Sequence, residues 1–241
     1  MSLVSVVLPT YNEAGNIVPL CKAIHAAISQ SHEIIVVDDN SPDGTSKLVQ
    51  ELIVSGTLPE LRLETRLTDR GLTKSIRRGI ELAKGDVVVW MDCDFSMPPE
   101  IIPQLIANVE QGADACVGSR FIKGGSTKTA GGNESMLAIF LSHFLNIITR
   151  LLLTRKFHDY TSGFIAVRKS VLDAVPLRGD YGEYFMDFIY RVILKGYRVI
   201  EIPYVCVPRR AGESKTAAQM WRFGKNYLIT LMRLWWMRIT H

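Results

Sequence analysis

The first half of the chain alternates short apolar runs with longer stretches in which apolar residues recur at helical spacing. The apolar runs predict strands at Leu3–Leu8, Glu33–Val37, Leu61–Arg66, Val87–Met91, Ala113–Gly118 and Phe164–Val167. The stretches between them predict helices at Ala14–Ile28, Thr45–Ile53, Thr73–Ala83 and Pro99–Glu110, with N-caps at Ser41 and Thr73. This order predicts an α/β fold: a mostly parallel sheet with helices on both faces.

Composition and charge narrow the range of functions. Apolar residues make up 47% of the 241 positions and charged residues 22%, as in a globular domain with a sizeable core. The net charge of +4 suits anionic partners such as phosphates or acidic lipid, but no dense basic patch or known module indicates nucleic acid. The four cysteines lack zinc-finger spacing, so we expect reduced thiols in a cytoplasmic protein.

Polar and acidic residues follow three of the predicted strands, at the edge where open α/β sheets bind ligands. Asp92 and Asp94 come directly after Val87–Met91, and extended backbone would point both carboxylates to one side. Two such acids repel each other unless a cation lies between them, and Mg²⁺ or Mn²⁺ can join them to substrate phosphates. An ordinary Asp-rich turn is the alternative.

The residues after the first two strands offer a place for a nucleotide. Asp39 could accept hydrogen bonds from a base, and Tyr11 could stack on that base. Alternatively, Asp39, Ser41 and Asp43 only build an Asx turn and a helix cap. The chain lacks both G-x-G-x-x-G and G-x-x-x-x-G-K-[ST], which argues against a dinucleotide dehydrogenase and a P-loop NTPase.

Seven motifs occur in an order and at a spacing that resembles the dolichyl-phosphate mannosyltransferases, the polyprenyl-phosphate glycosyltransferases of glycosyltransferase family 2. They are PTYNE, DDNSPDGT, GLTKSIRRG, DCDFSMPPE, GSR, DYTSGF and RRAGESK. The resemblance runs from Val4 to about Lys215 and implies the GT-A, Rossmann-like fold and Mg²⁺ or Mn²⁺. It also implies inverting transfer of a hexose from a nucleotide-sugar to a polyprenyl phosphate, with mannose from GDP-mannose as the first expectation.

The resemblance implies a role for each matching residue. Those that would bind the donor are Pro9, Tyr11, Glu13, Val37, Asp39, Asp92, Cys93, Arg209 and Lys215. Those that would hold the metal are Asp92, Asp94 and Ser96. Those expected at the reaction centre are Asp94, Arg120, which would face a donor or acceptor phosphate, and Asp159. Solvated surface charge is the alternative for the two arginines and Lys215.

In one place the sequence departs from these relatives. Many of them carry an arginine, with a serine one turn later, in the helix after GSR, and that pair is thought to grip the acceptor phosphate. Residues 131–149 contain no Arg or Lys in this chain. The possible substitutes are Lys123, Lys128 and Arg150.

Two apolar helices are predicted to lie in a membrane surface. One spans residues 134–153, and the other, 216–241, mixes Trp, Leu and Phe with basic residues. The alternative is that both helices pack on the domain or on each other. No stretch reaches 18 uncharged apolar residues, so we expect a peripheral membrane protein. Residues 1–215 would form the GT-A domain and 216–241 a C-terminal amphipathic helix, with small membrane subunits as possible partners.

Two other functions stay open. A family 2 transferase could use a sugar hydroxyl as the acceptor in polysaccharide synthesis. That reaction needs a general base, for which Asp159 is the candidate. A non-catalytic nucleotide-sugar-binding membrane scaffold would instead keep its role without Asp92 and Asp94.

Overall fold

A computed structural model describes residues 3–127, 136–211 and 220–240, without the side chains of 136–142 and 220–223. Seven of the described strands form one mixed sheet: β1 (Val4–Thr10), β2 (His32–Asp38), β3 (Leu61–Thr65), β4 (Val87–Trp90), β5 (Ala115–Ser119), β7 (Ile165–Arg168) and β8 (Val199–Pro203). Two short strands, β6 (Ser126–Thr127) and β9 (Val205–Cys206), pair with each other apart from it.

The strand order is β3-β2-β1-β4-β7-β5-β8, and the neighbours are parallel except where β7 is involved. The predicted mostly parallel sheet is confirmed, and six of its strands overlap the predicted apolar runs. β7 runs antiparallel to both β4 and β5. The apolar pattern predicts neither this reversal nor the edge strand β8.

Eight α-helices surround the sheet in the part of the chain that is described: α1 (Ile17–Ala27), α2 (Thr45–Val54), α3 (Leu72–Leu82), α4 (Ile102–Glu110), α5 (Met136–Leu152), α6 (Lys169–Ala174), α7 (Glu183–Leu194) and α8 (Met220–Thr240). The N-caps of α2 and α3 are Gly44 and Gly71, so the predicted caps Ser41 and Thr73 are wrong. Both glycines have positive φ, which lets the chain turn sharply into each helix.

Alternate residues of the central strands divide the core between the two faces of the sheet. On β1, Val4, Val6 and Leu8 join the cluster under α1, α2 and α4, whereas Val7 joins the opposite cluster, which includes α3, α6 and α7. Helices therefore cover both faces, as the continuous apolar strands predict.

The C-terminal helix α8 packs on α7 and α5. Tyr227, Leu231 and Leu234 are buried in the same cluster as α7, and Tyr227 forms a hydrogen bond of 2.9 Å with Thr149 of α5. The predicted boundary at residue 215 lies outside the described residues. None of the described helices is long and apolar enough to cross a membrane.

Candidate active site

The carboxyl ends of β1, β2 and β4 lie side by side because these strands are parallel neighbours. After β4, the Cys93 thiol donates to the carbonyl oxygen of Pro9 at 3.4 Å. After β2, Asp39 donates its backbone N–H to the carbonyl oxygen of Thr10 at 3.0 Å. The three polar strand ends therefore meet at one edge of the sheet.

Asp92 and Asp94 form an acidic pair with unequal surroundings. Asp92 touches solvent and has no hydrogen-bond or ion-pair partner for its carboxylate among the described residues, whereas Asp94 is 6% exposed. Loss of hydration in the crowded site, with the charges of Asp94 and Glu13, raises the pKa of Asp92 to about 7, although Arg209 and Arg120 oppose the shift. Loss of hydration and the neighbouring carboxylates together therefore disfavour a second negative charge at this edge.

The segment from Arg209 to Ala211 covers the acidic pair. Arg209 forms an ion pair with Asp94 Oδ2 at 2.7 Å. The side-chain amide of Asn16 donates both to the carbonyl oxygen of Ala211 at 3.1 Å and to Glu13 Oε2 at 2.8 Å. This segment thus rests on the loop after β4 and on the start of α1 at the same time.

The loop after β4 is held in an unusual backbone conformation. Phe95 has a φ of 66°, which is uncommon for a bulky residue and persists only where the surroundings impose it. Arg210 supplies part of that support, with its guanidinium 5.2 Å from the centre of the Phe95 ring and its N–H donating to the Asp94 carbonyl. Ser96 donates its N–H to Asp94 Oδ1 at 2.9 Å, so its backbone also fixes that carboxylate.

The residues predicted to bind the nucleotide lie at or just behind this edge. Tyr11 is 40% exposed, whereas Glu13 is buried. Pro9 is half-buried at the end of β1. Val37 is fully enclosed in the core, and only its backbone could face a ligand.

Asp39 is engaged by the protein through both carboxylate oxygens. Oδ2 accepts from the N–H of Gly71 and Oδ1 from the Ser75 hydroxyl, both at 2.7 Å, and Arg66 lies 3.3 Å from Oδ1. Asp39 therefore fastens the start of α3 to β2. Recognition of a nucleotide base by Asp39 stays a prediction.

Asp38 and Asp43, the other two acidic residues of the DDNSPDGT motif, build the turn after β2 and the start of α2. Asp38 accepts from the N–H and the hydroxyl of Ser41, and Asp43 accepts from Thr45 and Ala14. Partial burial alone would raise the pKa of Asp43, but these hydrogen bonds hold it below its usual value. Of the three residues in the turn-building alternative, Ser41 and Asp43 thus make such contacts, with Asp38 as the partner of Ser41.

Arg120, which follows β5, is locked to Asp159. The Asp159 side chain is fully buried and accepts from the Arg120 backbone N–H and Nε at 2.9 Å and from Nη2 at 2.8 Å. Two further bonds come from the N–H and hydroxyl of Thr161. Burial alone would lower the pKa of Arg120, but the Asp159 charge raises it above its usual value. Arg120 is therefore a permanent, fixed cation.

Three residues without a predicted role support this pair. Glu201 on β8 accepts from the N–H groups of His158 and Asp159, at 2.9 and 3.0 Å. Asn146 on α5 donates to the Thr161 hydroxyl at 2.8 Å, and Thr161 in turn accepts from Arg120 Nη2. An acidic residue inside the apolar stretch of β8 was a signal in the sequence, whereas the contact of Asn146 depends on the tertiary fold.

The remaining basic residues that the sequence analysis singled out are not seen to contact the acidic pair in the described part of the chain. Lys215 and Lys128 lie outside the described residues. Lys123 is exposed, and Arg150 at the end of α5 donates only weakly, at 3.5 Å, to the carbonyl of Arg155.

The donor set at the acidic pair fits a hard divalent cation. Asp92 and Asp94 offer carboxylate oxygens, the ligands that Mg²⁺ and Mn²⁺ prefer, and loss of hydration followed by the charge of Asp94 raises the pKa of Asp92. The ion pair with Arg209 offsets part of the charge of Asp94.

Comparison with known proteins identifies the family. Residues 5–175 match the family model for Glycosyl transferase family 2. The chain belongs to glycosyltransferase family 2. It is 37% identical over 217 residues to a dolichol-phosphate mannosyltransferase of Pyrococcus furiosus, covering 88% of this chain and 58% of that protein. It is 36% identical over 216 residues to the polyprenol monophosphomannose synthase of Mycolicibacterium smegmatis, covering 87% of this chain and 79% of that one.

Solved structures confirm the GT-A-like architecture of this family 2 chain. Glucosyl-3-phosphoglycerate synthase from Mycobacterium tuberculosis superposes with a TM-score of 0.72 at 17% identity, covering 97% of this chain and 80% of that one. Structures of that synthase contain UDP with Mn²⁺ or with Mg²⁺. At this identity the likeness concerns the fold alone.

Proposed function

We propose that this chain transfers mannose from a nucleotide-sugar, GDP-mannose in the first instance, to the phosphate of a polyprenyl lipid. The names of its relatives in Pyrococcus, Mycolicibacterium and Micrococcus luteus, the last an undecaprenyl-phosphate mannosyltransferase at 33% identity, support the sugar and the acceptor. The observation that carries the proposal is the state of Asp159, which is buried and committed to Arg120.

A sugar hydroxyl needs a general base to remove its proton, and Asp159 is the sequence's candidate for that task. A carboxylate that already accepts five hydrogen bonds and has no solvent-accessible surface is a poor base. A phosphomonoester is mostly dianionic at pH 7 and is itself the nucleophile. The arrangement therefore favours a lipid phosphate over a hydroxyl as the acceptor.

The donor would bind along the carboxyl ends of β1, β2 and β4. Asp92 and Asp94 would hold Mg²⁺ or Mn²⁺, and the cation, when bound, neutralises the diphosphate leaving group. Arg209 stands beside this position with a charge that can contribute to the same end. Metal binding by Ser96 and donor binding by Cys93 and Lys215 are parts of this proposal.

On the other side, Arg120 would bind the acceptor phosphate. Asp159 and Thr161 orient its guanidinium, so little rearrangement is needed when the anion arrives. Arg120 is near enough to Asp92 for its charge to lower that residue's pKa. A fixed cation close to the acidic pair would bring the nucleophilic phosphate towards the donor.

We further propose that α5 and α8 adhere to the membrane that holds the lipid. α8 buries one face against α7 but leaves a second apolar face in solvent, formed by Leu228, Ile229, Met232, Trp235, Trp236 and Ile239. α5 likewise exposes Phe144, Ile147 and Leu151. Arg238 of α8 donates to the carbonyl of Leu152 at 2.6 Å, which joins α8 to the end of α5. Tryptophans beside basic residues suit the headgroup region. Small membrane subunits and a cytoplasmic location stay predictions.

Acceptor choice tests the proposal. The protein is given GDP-mannose, UDP-glucose and UDP-N-acetylglucosamine in turn, each with a polyprenyl phosphate, the matching polyprenol or an oligosaccharide. We expect transfer from GDP-mannose to the phosphate alone. Transfer to the oligosaccharide would contradict the proposal and favour a sugar hydroxyl as the acceptor. Donor binding without any transfer would favour a non-catalytic nucleotide-sugar-binding scaffold.

A further inference from the structure

Two histidines and a glutamate meet at the opposite edge of the sheet from the candidate active site. His25 lies in the last turn of α1, His32 is the first residue of β2, and Glu60 immediately precedes β3. The acidic residues of the active site follow the other ends of the strands. Seven residues of β2 separate the two edges, which is roughly 20 Å of strand.

The three side chains point at one another. One ligand atom from each, an imidazole nitrogen or a carboxylate oxygen, lies within 4.8 Å of the others. His32 Nε2 is 3.6 Å from Glu60 Oε1, and His25 Nδ1 contacts the same oxygen. Tetrahedral zinc, with bonds of about 2.0 Å, separates its ligand atoms by about 3.3 Å, so small side-chain rotations would suffice.

The hydrogen bonding of His32 leaves its inward nitrogen without a donor or acceptor partner. Nδ1 lies 2.8 Å from the carbonyl oxygen of Gln30, which can only accept, so Nδ1 carries a hydrogen. Nε2 is buried without a hydrogen-bond partner, on a side chain that is 7% exposed. An imidazole nitrogen without a hydrogen and a carboxylate oxygen that face each other both offer lone pairs, and a metal cation between them would use both.

We propose that His25, His32 and Glu60 bind a Zn²⁺ ion at the base of the sheet, independent of the transfer reaction. Two imidazoles and one carboxylate suit zinc, whereas Mg²⁺ prefers oxygen ligands alone. The hydrogen bond from His32 Nδ1 to a backbone carbonyl is the supporting contact usual for metal-bound histidine. His25 is 45% exposed, which leaves an entry path and room for a water ligand.

Such an ion would tie α1 to the start of β2 and β3. The Glu60 carbonyl already accepts from the N–H of Ile34, so the backbone that carries the carboxylate is fixed to β2. We expect Zn²⁺ binding to be nearly preorganised and to raise the melting temperature by about 5 °C at saturating metal.

The test uses the full chain without a histidine tag, stripped of metal, in an Asp92→Asn, Asp94→Asn background so that the active site contributes no zinc binding. Titration calorimetry with Zn²⁺ should give one equivalent per chain. His25→Ala and Glu60→Gln should each weaken binding about 100-fold or more, whereas His143→Ala, which removes another exposed histidine, should leave it unchanged.

His25 is half exposed, so its alanine variant should melt like the parent in EDTA and lose only the zinc-induced increase. Absence of a zinc equivalent in the parent, or undiminished binding by both cluster variants, would overturn the proposal. In that case the cluster holds a proton as an imidazolium–carboxylate pair. Because the active-site acids are removed, neither result depends on the proposed transfer reaction.

Discussion

Asp159 holds Arg120 through two side-chain hydrogen bonds and one to its backbone, and Glu201 and Thr161 fix Asp159 in turn. A carboxylate in this position acts through the guanidinium and need not touch the substrate. It keeps Arg120 charged and aligned, at the small energetic cost that a well-hydrogen-bonded buried pair allows. Asp159 is thus a positioning residue in the proposed mechanism.

A double-mutant cycle distinguishes positioning from general-base catalysis. Arg120→Ala should reduce kcat/KM for lipid phosphate by about 100-fold or more, and Asp159→Asn by up to about 100-fold, because the cation is lost or misplaced. The double variant should be little worse than Arg120→Ala alone, because both changes remove one function. Asp173→Asn, at an exposed position of α6, serves as the control. Independent, multiplicative losses would indicate that Asp159 acts on the substrate itself.

Residue types and spacing predicted that the acidic pair lies at the ligand-binding edge. Parallel strands bring their carboxyl ends to one edge of a sheet, whatever the packing of the side chains. They could not predict how Asp39 and Asp159 are engaged. The hydrogen bonds that Asp39 accepts from Gly71 and Ser75 join positions more than thirty residues apart. Such contacts follow from tertiary packing, and no local pattern encodes them.

At the scale of elements, α7 and β7 show where the apolar pattern loses information. Every residue from Glu183 to Val192 is buried, including the polar stripe of Glu183, Asp187 and Arg191, so the burial of α7 does not follow the alternation of apolar and polar positions. The direction of β7 depends on how the chain crosses the sheet after α5, and an apolar run has the same appearance in either direction. Regular amphipathic helices such as α1 and α4 were predictable to within a few residues.

Packing of α3 on β1 depends on a glycine. A Cβ at Gly79 would lie 2.2 Å from Val7 Cγ1, far closer than two carbon atoms can approach. Alanine is favoured over glycine in a helix by about 1 kcal/mol, but overpacking should outweigh this. We expect Gly79→Ala to lower the free energy of unfolding by about 1–3 kcal/mol in urea denaturation.

The matched control is Arg77→Ala, an exposed position of the same helix, which should change stability by less than about 0.5 kcal/mol. Val7→Ala opens the space that the new methyl group needs. The two changes together should therefore cost less than their sum. Gly79→Ala with parental stability would mean that α3 moves away from the sheet freely.

At the scale of the whole molecule, the proposed functions divide among separate surfaces. The strand ends would receive the donor, the fixed Arg120 the lipid phosphate, and the apolar faces of α5 and α8 the bilayer. Asn146 and Thr149 connect α5 both to the Arg120 network and to α8, so the proposed membrane surface is mechanically joined to the acceptor side.

Vesicle binding tests that surface. Trp236 is 62% exposed on α8, and Trp236→Glu should reduce binding to anionic phospholipid vesicles by about tenfold or more, because a large apolar side chain is lost. Val54→Glu makes a similar change at an exposed apolar position of α2, outside both α5 and α8, and should have little effect on vesicle binding. Equal binding by both variants and the parent would contradict a role for α8 at the membrane.

Metal-dependent labelling of the lipid tests the central claim most directly. The protein is incubated with GDP-mannose labelled in the sugar, polyprenyl phosphate in detergent, and Mg²⁺ or Mn²⁺, and label is counted in the organic phase. We predict rapid labelling that EDTA abolishes and that Asp94→Ala reduces by at least about 100-fold. Labelling at the parental rate by Asp94→Ala, or in EDTA, would contradict an acidic pair that works through a divalent cation.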